Sequence, residues 1–109
     1  MTQAPNLTPA QIERLAILAE ECGEVIQVVG KILRHGYKST HPKRPEEGSN
    51  REKLTREMGD VLCAMGLLGD AGDTHGNDIT AAADDKMASI HQYTHHQGHS
   101  VCPGSKRRF

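Results

Sequence analysis

Aromatic residues are almost missing from this chain of 109 residues, which has no tryptophan, one phenylalanine and two tyrosines. Any core must therefore be aliphatic, built from Leu, Ile, Val, Ala and Met. Cysteine is scarce as well: Cys22, Cys63 and Cys102 have no C-x-x-C spacing, which argues against a disulfide framework. Cys22 and Cys63 fall within apolar helical stretches, where reduced core cysteines are common. Long apolar runs are lacking too. None approaches the roughly 20 residues of a membrane-spanning helix, and the first residues lack the basic-then-apolar order of a secretory signal. The expectation is a cytoplasmic protein. Neither sign of charge dominates, since the formal net charge is −1, so there is no general pull toward nucleic acid or an anionic membrane. Recognition of any anion must be local. A chain of this length makes one domain, small enough that a partner subunit would help to complete its core.

What is present is helical periodicity with clear punctuation. Thr8, Pro9 and Gln11 form a capping box with proline at the first helical position, and Leu7 and Ile12 fit the accompanying hydrophobic staple. Ile12, Leu15, Ala19, Cys22, Ile26, Val29 and Leu33 then recur at helical spacing, and Gly36 can close the helix. The first helix is expected over residues 9–35. Residues 37–48, with two prolines and Lys38, His41, Lys43 and Arg44, read as a basic connecting loop. Ser49 with Glu52 opens a second helix carrying Leu54, Met58, Val61, Leu62, Met65 and Leu68, which stops in the glycine-rich stretch 69–76. Asn77 or Asp78 can cap a third helix that fades near residues 93–96. With no alternating strand pattern, the expected class is all-α. Two long helices that are apolar over more than half their circumference predict a homo-oligomer, a dimer or tetramer in which helices of different subunits complete a bundle. The domain is expected over 1–96, followed by a flexible basic tail over 97–109.

Inside these helices stand two acidic signatures, E-E-x-x-E at Glu20, Glu21 and Glu24, and E-x-x-D at Glu57 and Asp60. Residues three apart on a helix project side by side, so two such helices facing each other would converge four carboxylates. An uncompensated group of this kind implies a cation. All-oxygen donors favour Mg²⁺, or Mn²⁺, over zinc. The competing explanation is a solvated acidic face. Glu13, Glu20, Glu24, Gln27 and Lys31 do fall on one stripe that could face water. Glu21 points instead toward the flank of Val25, Val28 and Ile32, and no basic residue lies three or four positions away. On the second helix Lys53 precedes Glu57 by four and Arg56 precedes Asp60 by four, so ordinary ion pairs could account for both acids. Against that, Asp60 opens the uncharged run of residues 61–69. A di-iron bundle would need E-x-x-H on two helices, and the chain has no such motif.

At these residues the chain resembles the all-α nucleoside triphosphate pyrophosphohydrolases, the MazG-like group related to dimeric dUTPases and phosphoribosyl-ATP pyrophosphohydrolase. The spacer from Glu24 to Glu57 is longer than in compact members, the basic loop being the extra length. The resemblance implies an all-α helical bundle completed by homo-oligomerisation. It makes Glu21, Glu24, Glu57 and Asp60 the Mg²⁺ ligands and gives Glu20 a water-orienting, proton-accepting part. The implied reaction is hydrolysis of a nucleoside triphosphate to the monophosphate and pyrophosphate.

Phosphates also call for cationic partners, for which Lys86, Lys31 and Lys38 are the candidates. His91, His95, His96 and His99 with Cys102 have some likeness to transition-metal ligands, in a segment where the third helix gives out. A metal-handling device there is a third reading. A catalytically silent helical module that binds nucleotide or metal is the alternative to the enzyme.

Overall fold

The computed structural model describes residues 6–98, and the expected tail beyond Gly98, including His99 and Cys102, lies outside them. Two compact units emerge, one ending at Asp73 and one beginning at Thr74.

In the first unit, α1 spans Pro9–His35. The Thr8 hydroxyl accepts from the Gln11 N–H at 3.1 Å, and the Gln11 side chain accepts from the Thr8 N–H at 2.8 Å. Two donors left free by the helix start are satisfied reciprocally. Arg34 and His35 in the last turn favour the negative end of the helix. The helix stops because Gly36 takes φ +88°, open to glycine and costly to other residues, while its N–H still reaches the Ile32 carbonyl at 2.7 Å.

The segment read as a loop contains an antiparallel hairpin, β1 (Thr40–His41) and β2 (Arg44–Ser49), with Thr40 opposite Ser49, His41 opposite Arg44, and an irregularity between them. Its strands are short, charged and interrupted by Pro45, so no apolar alternation announced them. The chain remains mostly helical. The hairpin delivers the backbone directly into α2 (Asn50–Asp70), opened by the Ser49 and Glu52 capping box. Asn50 is buried, and its side-chain amide donates to the Gly36 carbonyl at 3.1 Å. The Arg51 guanidinium lies 4.7 Å from the centre of the Tyr37 ring, and the Arg51 N–H donates to the Tyr37 carbonyl. These contacts tie the end of α1 to the start of α2. At the opposite end Arg14 grips Asp73 with two hydrogen bonds, Nε to Oδ2 at 2.6 Å and Nη2 to Oδ1 at 3.2 Å. The start of α1 thus meets the end of α2, and the two helices are antiparallel.

Their shared face is set by matching spacings. On α1 it is Glu21, Val25, Val28 and Ile32; on α2 it is Glu57, Val61, Ala64 and Leu68. Val28, Ala64 and Leu68 are the buried apolar residues among those described, and the other apolar members are half-buried. The stripe of Ile12, Leu15, Cys22, Ile26, Val29 and Leu33 points away from this seam and is exposed. Cys22 and Cys63 are therefore exposed free thiols rather than core residues.

The second unit holds α3 (Gly76–Ser89) and a 3₁₀ turn, η1 (Ile90–Tyr93). Its N-cap is His75, without a side-chain hydrogen bond, rather than Asn77 or Asp78. Asp78 falls in the first turn instead, where its charge still favours the helix dipole. Lys86 reaches over the Tyr93 ring at 5.3 Å from its centre.

Candidate metal and phosphate site

The antiparallel pairing of α1 and α2 brings three acids of the two signatures together. Glu21, Glu57 and Asp60 each offer a carboxylate oxygen, and these oxygens lie within 4.8 Å of one another. Glu21 and Glu57 are half-buried, Asp60 exposed. Partial burial, then the charge of Asp60, then those of Glu20, Glu57 and Glu24 hold the Glu21 carboxyl above the usual carboxylate range. All five acids of the two signatures thus contribute to one negative field, with Glu21 at its most constrained point.

The basic residues that helix spacing would assign to these acids turn elsewhere. Lys53 Nζ pairs with Glu47 Oε1 on the hairpin at 3.7 Å, and Arg56 Nη2 donates to the Glu47 carbonyl at 2.9 Å. Among the described residues no ion pair reaches Glu21, Glu57 or Asp60. The ordinary surface-pair explanation is thereby removed for Glu57 and Asp60 as it was for Glu21. Oxygens around an octahedral Mg²⁺ at ~2.1 Å stand at most ~4 Å apart, a separation comparable with the 4.8 Å within which these three oxygens lie. A hard divalent cation fits the donor set, which offers neither sulfur nor imidazole.

Glu24 stands beside this trio on a cleft of about 550 Å³ that Glu57 also lines, a size usual for small-molecule sites. Lys31, Lys53 and Arg56 line the same cleft, as does Glu47 of the hairpin. Lys31 is therefore a phosphate candidate that lies near the acids. Lys38 is exposed ahead of the hairpin and is not among the residues lining the cleft. Lys86 belongs to the second unit, where its neighbour is Tyr93. Glu20 is exposed beside Glu21. Sequence reasoning missed Lys53, Arg56 and Glu47 as cleft residues because it paired the two cations along their own helix. A hairpin folding back over the start of α2 is what redirects them.

His91 lines a separate hollow in the second unit with Met87, Ile90 and Thr94. Among the described residues the one group of three metal-binding donors is Glu21, Glu57 and Asp60.

An antiparallel helix pair with facing acids, beside a cleft lined by both acids and bases, is the candidate site of this mostly helical protein. The family model of the MazG nucleotide pyrophosphohydrolase domain matches residues 10–96. The chain belongs to that family. No curated protein and no solved structure matches it.

Proposed function

We propose that the protein is a Mg²⁺-dependent nucleotide pyrophosphohydrolase, with Mn²⁺ as a possible substitute, that cleaves a nucleoside triphosphate to the monophosphate and pyrophosphate. The observation that carries this reading is the convergence of Glu21, Glu57 and Asp60, drawn from two helices and left without basic partners, in a chain of the MazG family. Glu21, Glu24, Glu57 and Asp60 would hold the cation. When bound, such an ion neutralises phosphate oxygens and lowers the pKa of water, which favours attack on phosphorus near neutral pH.

The chain's own residues do the rest. Glu20 is the proton acceptor for the attacking water: it adjoins Glu21, and its exposure lets it pass the proton to solvent. Lys31 places an ammonium on the cleft shared with Glu24 and Glu57, suited to orienting a phosphate as a point charge. Lys86 and Lys38 are weaker candidates for the same duty. Among the described residues no helix is long and apolar enough to cross a membrane, and a cytoplasmic role in nucleotide housekeeping or regulation fits the substrate class. The working form is a homo-oligomer.

The test is release of pyrophosphate across a panel of nucleoside triphosphates with Mg²⁺, with Mn²⁺ and with EDTA, comparing wild type with Glu57→Gln. Metal-dependent release that falls by about 100-fold or more in the variant is the expected result, the size usual for loss of one preorganised electrostatic group. Binding of nucleotide without product would make the protein a silent module instead.

A further inference from the structure

We propose that Lys53 and Arg56 form the subsite for the terminal phosphates of the substrate, and that Glu47 occupies this subsite as an internal counter-anion until phosphate displaces it. This rests on the triphosphate reading above and adds to it a built-in competitor.

Lys53 and Arg56 are one turn apart on α2, and both line the cleft that Glu24 and Glu57 also line. A lysine that merely snorkels keeps its head in water. Lys53 does not: its side chain is only 15% exposed and its ammonium faces the Glu47 carboxylate. That carboxylate is bracketed, with Oε1 toward Lys53 at 3.7 Å and Oε2 toward Arg44 at 3.4 Å, while the Glu47 carbonyl accepts from Arg56 at 2.9 Å. Two cations on one carboxylate and a third on the adjoining carbonyl make an anion site occupied from within. A phosphate group brings more charge and three acceptor oxygens, and guanidinium pairs with it in a two-pronged geometry.

The element carrying Glu47 is suited to yield. A two-stranded hairpin is marginal on its own, and the Arg44 to Glu47 pair is exposed at both ends, so little stability is lost when it opens. Lys53 and Arg56 sit instead on a helix capped at Ser49 and packed against α1. Displacement moves the anion and leaves these two cations in place. The cleft then carries both acids that suit a cation, Glu24 and Glu57, and bases that suit phosphate.

Calorimetric binding of tripolyphosphate in excess Mg²⁺ tests this without relying on turnover. Lys53→Met and Arg56→Met are each expected to weaken binding about tenfold, the size of one hydrogen bond to a charged group, while Lys53→Arg retains affinity. Glu47→Gln is expected to tighten binding several-fold. Thermal melts of every variant establish that it is folded. Unchanged affinity in folded Lys53→Met and Arg56→Met, or no binding by wild type, overturns the subsite. Unchanged or weaker affinity in Glu47→Gln overturns the displaced-anion device and leaves Glu47 as a hairpin anchor. Absence of pyrophosphate release with these affinity changes intact would refute the proposed reaction and leave the subsite standing.

Discussion

At the scale of single residues, the acids that suit a cation work against the fold that holds them. Glu21, Glu57 and Asp60 crowd like charges across the helix seam without a base between them. Glu57→Gln is therefore expected to raise the melting temperature of metal-free protein by a degree or two, the size of a relieved like-charge pair, and to reduce the upward shift that Mg²⁺ gives wild type. A variant that melts lower without metal would show that Glu57 has an unrecognised structural partner. Asp73 illustrates the opposite arrangement. Its hydrogen bonds from Arg14 hold its carboxyl below the usual range, against the opposing effect of partial burial. A folded pKa below the unfolded one gives stability that is fully present above the unfolded value, near 4, and is lost as pH falls through the folded value. Melting temperature followed from pH 6 down to pH 2 should accordingly fall more steeply for wild type than for Asp73→Asn, with the curves converging at the acid end. The site acids were legible in the sequence because a three-residue spacing on a helix is geometrically unambiguous, and because Glu21 has no base within reach on its own helix. The roles of Lys53 and Arg56 were not, since helix spacing offered each a nearer acid than the hairpin residue it meets.

At the scale of elements, legibility followed the strength of local chemistry. The bounds of α1 were readable because Thr8, Pro9 and Gln11 fix one end and Gly36 the other. The start of α2 was readable for the same reason at Ser49 and Glu52. The hairpin was hidden because its pairing depends on backbone hydrogen bonds and on Asn50 and Tyr37 tying it to the helices, not on apolar side chains. The beginning of α3 was hidden because His75 caps it by backbone conformation alone. Gly48 stands directly before the Ser49 cap that opens α2. It holds φ +95°, and a Cβ there would meet the Glu52 side chain at 3.3 Å, the same side chain that completes the capping box. Gly48→Ala should thus combine backbone strain with a disturbed cap and destabilise the protein by about 1–2 kcal/mol. The denaturant midpoint measures this, with an unchanged slope expected. A neutral result would mean that the hairpin relaxes without cost to α2.

At the scale of the whole molecule, α1 and α2 leave apolar surface that they do not cover for each other. Ile26 and Leu33 on α1 are 71% and 83% exposed, and Met58 and Leu62 on α2 are 57% and 61% exposed. Ile26, Val29 and Leu33 follow one another at spacings of three and four, as Met58 and Leu62 do at four, so each set forms a stripe and not a scatter. Three buried apolar residues make a thin core for an element pair this long, and helices with a second apolar stripe bury it against further helices. The family membership of the chain says nothing by itself about which surface does so. The stripes do, because they lie off the seam between α1 and α2, where a symmetric pair of copies would set like residues against like. Light scattering after size exclusion is expected to give a dimer or a higher oligomer for wild type. Leu33→Glu with Ile26→Glu should shift it toward monomer and lower the melting temperature, since a charge in that face is buried unpaired on assembly. A stable monomer for wild type, or an oligomer indifferent to both charges, would move the contact to another surface.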